Sequence, residues 1–108
     1  MMKNLGGMMK KMQEVQARLE ALNTEMESRI FSASVGGGAV TVNLTGKGRI
    51  DSIKIAPELC QKDEVETLEE LVALAVNTAK SEAEIAHKQA LEEITGGMPL
   101  PPGLSLPF

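Results

Sequence analysis

The chain predicts an α+β domain of helix, three-stranded antiparallel meander and helix, on three observations. Apolar residues recur every 3.5 positions near the N-terminus, every second position between residues 30 and 56, and again with helical spacing from about residue 63 to 95. Length fits one such unit, because 108 residues lie within the usual range of a single domain. Residues 1–96 are assigned to the domain, and residues 97–108, which hold four of the five prolines, to a flexible Pro-rich tail.

The first helix follows from Leu5, Met8, Met12, Val15, Leu19, Leu22 and Met26, which step alternately by 3 and 4 and mark an amphipathic segment from about Leu5 to Ser28. Gly6 and Gly7 weaken its first turn, since glycine costs about 1 kcal/mol relative to alanine inside a helix. The seam admits two covers, the rest of the same domain or a helix of a second subunit. Reach favours the second: a 24-residue helix is roughly 36 Å long at about 1.5 Å per residue, whereas strands of seven residues span roughly 23 Å.

Three strands come next. Phe31, Ala33 and Val35 alternate with Ile30, Ser32 and Ser34; Val40, Val42 and Leu44 with Thr41, Asn43 and Thr45; Ile53 and Ile55 with Ser52 and Lys54. Gly36-Gly37-Gly38 and Gly46-Lys47-Gly48 supply the short turns of an antiparallel meander. Pro57 has no amide hydrogen for the ladder and ends the third strand.

The second helix has two possible starts, Asp63 with Glu66 or Thr67 with Glu70, each spaced as a capping box. Val65, Leu68, Leu71, Val72, Leu74, Ala75 and Val76 make its first half apolar over most of its circumference, as core. Beyond them Ala79, Ala83, Ala86 and Ala90 form a narrow seam beside a Lys80, Glu84, Lys88, Glu92 ladder of alternating sign, the pattern of a more exposed arm. Gly96-Gly97 stops the helix. One helix on a three-stranded sheet leaves the N-terminal seam and the alanine seam without intrachain cover, which predicts a homodimer.

Chemistry-bearing patterns are absent. One Cys and one His supply neither a disulfide framework nor a zinc site. Cys60 in a loop and His87 on a charged helix form no nucleophile pair, and Gly46-Lys47 is followed by Gly48 where a phosphate-binding loop needs Ser or Thr. The acidic run Asp63, Glu64, Glu66, Glu69 and Glu70 lacks calcium-loop spacing and suits a helix start. No enzyme, metal, cofactor or small-molecule substrate is therefore expected. No apolar run reaches membrane-spanning length and no signal-like segment opens the chain, which reads as soluble and intracellular with no membrane partner.

Charge gives the remaining signal. The formal net charge is −4, which by itself argues against binding a polyanion, but the distribution is uneven. Residues 57–95 carry three basic and ten acidic groups, whereas residues 1–30 carry five and four. Lys3, Lys10, Lys11 and Arg18 fall within about 100° on the first helix at 100° per residue. This stripe is either a solvated face with a Lys10-Glu14-Arg18 ion-pair ladder or a phosphate-contacting surface. Lys47 and Arg49 beside the second turn form a second, weaker candidate, since charged turns are usually only solvated. With two aromatic residues and no Trp or Tyr, the chain lacks the stacking platforms of single-strand binders, so duplex DNA is the better ligand. Lys-led phosphate contact fixes position rather than sequence, so selectivity should be low.

The segments MMKKMQEVQARLEAL, SVGGGAVTVNLTG, IKIAPEL, LEELVALAVNTAKSEAE and GGMPLPPGLSLPF, in that order and spacing over nearly the whole chain, resemble the bacterial YbaB/EbfC family of nucleoid-associated proteins. One departure is Ala56, where many members carry Asp. The resemblance implies an α-β-β-β-α subunit in an interlocked, tweezers-like homodimer whose helical arms bind duplex DNA with low sequence specificity. It also implies a place in the nucleoid of the cytoplasm and a role in chromosome organisation and gene regulation. Of the arm residues, Lys3, Lys10, Lys11 and Arg18 are the expected DNA contacts, chosen by charge geometry; Lys80 and Lys88 are weaker ones, because their ladder with Glu84 and Glu92 already offers them partners. The competing reading is a non-enzymatic accessory of recombination or repair that offers its acidic helix and apolar tail to a protein partner.

Overall fold

The computed structural model describes residues 2–96, with side chains described from residue 6 onward; the tail assigned to residues 97–108 lies outside them. The order is α1 (Met2–Ser28), β1 (Ile30–Val35), β2 (Val40–Thr45), β3 (Ile50–Ile55), two short 3-10 turns at Pro57–Leu59 and Lys62–Glu64, and α2 (Val65–Thr95). This is the expected α+β succession. The helix containing Gly6 and Gly7 begins at Met2, earlier than the apolar seam indicates.

The strands form one sheet in the order β1-β2-β3, antiparallel throughout. Three glycines with positive φ, Gly36, Gly37 and Gly38 at 64°, 67° and 93°, carry the first turn through a region that side chains avoid. One face is apolar: Phe31, Ala33, Val40, Val42 and Leu44 are buried. The other is polar, with Ser32 donating to Asn43, Asn43 donating to Ser52, and Ser34 and Thr41 sharing a 3.0 Å bond. A bulge interrupts the β2–β3 ladder: Asn43 pairs with Ser52 but Leu44 with Ile50. Asp51 is thereby skipped, and Ile50 takes the apolar face with Ile53 and Ile55.

α2 lies against β1 and β2, and β3 remains an uncovered edge whose Ile50, Ile53 and Ile55 are 46%, 40% and 38% exposed. The first half of α2 is less completely buried than its composition suggests, because Val65 and Leu74 point outward. Neither capping box forms. α2 starts at Val65 after a 3-10 turn that contains Asp63, and no side chain caps it. Its end is as expected: Gly96 adopts the left-handed conformation and its amide bonds to the Glu92 carbonyl.

The alanine seam is covered within the subunit, contrary to expectation. Ala75, Ala79 and Ala83 are buried in a cluster with Leu22 and Met26 of α1, and Ala86, Ala90, Leu91 and Ile94 pack at its margin. Methyl-sized side chains let α1 approach α2 closely, and the two helices run together as an arm. The molecule is accordingly elongated, 72 × 21 × 20 Å.

Candidate nucleic-acid interface

The base of the arm is fixed where α1 meets the β2–β3 turn. The Gly46 amide donates to the Arg29 carbonyl at 3.1 Å, the Thr45 amide to the Arg49 carbonyl at 2.8 Å, and the Lys47 ammonium to Asn23 Oδ1. Gly46 is needed for closeness: a Cβ there would lie 2.9 Å from both Cβ and the carbonyl oxygen of Met26, a residue with no exposed surface. His87 of α2 completes this junction. Its partial burial and, secondarily, the positive charge of Lys47 hold its pKa below the ordinary value of 6.5.

From that base α1 runs antiparallel to α2. Near the end of α2, a shallow groove brings Ala90, Glu93 and Ile94 against Arg18, Leu22 and Glu25 of α1. The residues of α1 before Arg18 continue past this point, and Met8, Met9 and Met12 are 65%, 59% and 51% exposed. At about 1.5 Å per residue the overhang is roughly 24 Å. Lys10 and Lys11 stand exposed on it. The side chain of Lys3 lies outside the described residues.

The structure therefore brings Lys10, Lys11 and Arg18 onto one flank of one helix. Among the described residues, the Lys10-Glu14-Arg18 and Lys80-Glu84-Lys88-Glu92 spacings are not closed into ion pairs within 4.0 Å; the pair that does form is Arg29–Glu25. Lys80 and Lys88 are exposed but do not join the α1 flank. At 100° per residue they stand about 140° around α2 in opposite senses from Glu93, which lines the groove that Arg18 also lines. In helical phase Lys80 is about 20° from His87 and Lys88 about 100° from it, so the two do not share the His87 side either.

Arg29 was absent from the expected contacts. Its amide still donates to the Glu25 carbonyl at 2.9 Å, so the helical phase of α1 extends to it. Its guanidinium lies 4.7 Å from the centroid of the Phe31 ring, a cation–π distance. The helical phase could have pointed to Arg29, but its neighbour Ile30 begins the strand pattern.

The described residues hold no group of three His, Cys, Asp or Glu arranged to bind a metal, and no helix among them is long and apolar enough to cross a membrane. Cys60 is a free, exposed thiol.

Residues 2–98 match the YbaB/EbfC DNA-binding family. Two relatives called nucleoid-associated proteins, from Gluconobacter oxydans (strain 621H) and Brucella ovis, are each 46% identical over 107 residues, covering 99% of this chain and 100% of theirs. The crystal structure of uncharacterized protein HP0035 from Helicobacter pylori superposes with a TM-score of 0.71 at 22% identity, over 85% of this chain and 94% of that one; this likeness concerns the fold. A projecting, lysine-bearing helical arm on this α-β-β-β-α frame, with the match over residues 2–98, places the chain in the YbaB/EbfC DNA-binding family.

Proposed function

We propose that the chain is a nucleoid-associated protein that binds duplex DNA as a homodimer, with low sequence preference, through the cationic flank of α1. The carrying observation is the overhang of α1, whose Lys10 and Lys11 stand in solvent beyond the end of α2, in line with Arg18. Lys3 belongs to the same stripe by helical phase, and Lys80 and Lys88 contribute from the opposite side of the arm. The names of the relatives support a place in the nucleoid and a role in chromosome organisation, with gene regulation as its consequence.

The dimer rests on apolar surface that one subunit leaves bare. Ile50, Ile53 and Ile55 line an open sheet edge, while Leu74 and Ile85 of α2 are 52% and 55% exposed. Such a surface on a small soluble domain marks a contact with another chain. A two-fold axis would present the basic arm twice and let two arms engage one duplex.

The test is an anisotropy titration of a labelled 30-base-pair duplex at low salt, with the parent beside a Lys10→Gln, Lys11→Gln, Arg18→Gln variant. The variant should bind at least tenfold more weakly at unchanged dimer mass. Equal affinity would remove the arm from the interface, and no binding by the parent dimer would favour the protein-interaction reading.

A further inference from the structure

The cationic line of α1 does not stop at Arg18. At 100° per residue Lys11, Arg18 and Arg29 share one phase within about 20°, and the helical bond from the Arg29 amide to the Glu25 carbonyl carries that phase to the edge of the sheet. There the line meets Arg49. The Thr45 and Gly46 amides donate to the carbonyls of Arg49 and Arg29 respectively, so the backbones of the two arginines bond consecutive residues at the end of β2. We propose that Arg29 and Arg49 are phosphate contacts that continue the arm's cationic line onto the end of the sheet, so that a duplex lies along α1 from arm to base. This rests on the DNA-binding reading above and adds the direction of the bound duplex.

Three features support it. The spacing suits a duplex: Lys11 to Arg29 spans roughly 27 Å at about 1.5 Å per residue, or about eight base pairs at roughly 3.4 Å each. The turn is already ordered by Gly46 against Met26 and by Lys47 on Asn23, which lowers the entropy lost on binding. The charge is favourable, since residues 29–56 carry Arg29, Lys47, Arg49 and Lys54 against Asp51 alone. Glu14 and Glu25 also lie along the α1 line. Glu25 holds Arg29 at 4.0 Å, with the two side chains 61% and 48% exposed, and an ion pair that open is weak enough for phosphate to replace the carboxylate.

The experiment is the salt dependence of duplex binding between 50 and 200 mM for the intact dimer, using Arg49→Gln, the Arg29→Gln, Arg49→Gln double variant, Arg49→Lys and the arm variant. Each phosphate contact removed should lower the magnitude of the log-log slope by about 0.9. The double variant should therefore lose roughly 12-fold less affinity than the parent across that interval, and Arg49→Lys should keep the parental slope. Because Arg29 stacks on Phe31, Arg49→Gln is the fold-neutral reading, checked by an unchanged melting temperature. Parental slope and affinity in Arg49→Gln and the double variant, with loss in the arm variant, would overturn this proposal and leave the arm reading intact. A parent that binds no duplex would overturn both.

Discussion

Replacing Gly46 by alanine tests how the arm is mounted on the sheet. The added Cβ would fall 2.5 Å from Met26 Sδ, 2.9 Å from Met26 Cβ and 2.9 Å from the Met26 carbonyl oxygen. Ordinary contacts begin near 3.4 Å. The thioether can rotate away, but Cβ and the carbonyl move only if the last turn of α1 moves, and Met26 has no solvent-facing side to yield into. Overpacking of this kind costs about 1–3 kcal/mol, and the lower unfolded-state entropy of alanine returns about 0.4–1 kcal/mol. The net expectation is a loss of about 1–2 kcal/mol. Urea unfolding at fixed protomer concentration would read it as a lower midpoint with an unchanged slope. The comparison is Gly37→Ala, where nothing lies within 4 Å and only the φ of 67° opposes the side chain. A Gly46→Ala protein as stable as its parent would refute the close packing of α1 on the β2–β3 turn.

Two further outcomes follow from the same geometry. The His87 pKa is lowered in the folded chain, so below about pH 6.5 the unfolded chain takes up more protons and stability falls. The contribution is complete above that value and is lost as pH decreases. The melting temperature should therefore drop more between pH 7.5 and 5.5 in the parent than in His87→Gln, and superimposable profiles would contradict the burial of His87 beside Lys47. At the open sheet edge, Ile53→Glu should convert the dimer to monomer in sedimentation at micromolar concentration, because a carboxylate would have to be desolvated there; an unaltered dimer would place the interface elsewhere.

The strands were legible because period-two alternation, glycine turns and Pro57 are local signals, and β1 and β2 bury the residues that alternation selects except Val35, which is half-buried. The bulge at Asp51 was not, since it depends on which partner Leu44 meets across the ladder. The alanine seam was misassigned for a related reason. Small residues on a helix do not state whether the close neighbour is another chain or, as here, α1 of the same one. The capping boxes at Asp63 and Thr67 were plausible locally, but 3-10 turns after Pro57 set where α2 begins. For the interface, Lys10, Lys11 and Arg18 were readable from helical phase alone. Separating Lys80 and Lys88 from them required seeing that Ala90 and Glu93 line a groove with Arg18, and recognising Arg29 required seeing that the helical bonding of α1 extends to the residue before the strand.

An acidic chain with a basic arm should hold DNA modestly and by phosphate charge, because the total charge of −4 repels the polyanion that the arm attracts. The most direct measurement is the slope of log affinity against log salt for the parent protein on two duplexes of equal length and unrelated sequence. Phosphate-led binding predicts two nearly coincident lines of clear negative slope, about 0.9 for each phosphate contacted. Lines that are flat, or widely separated by sequence, would contradict it.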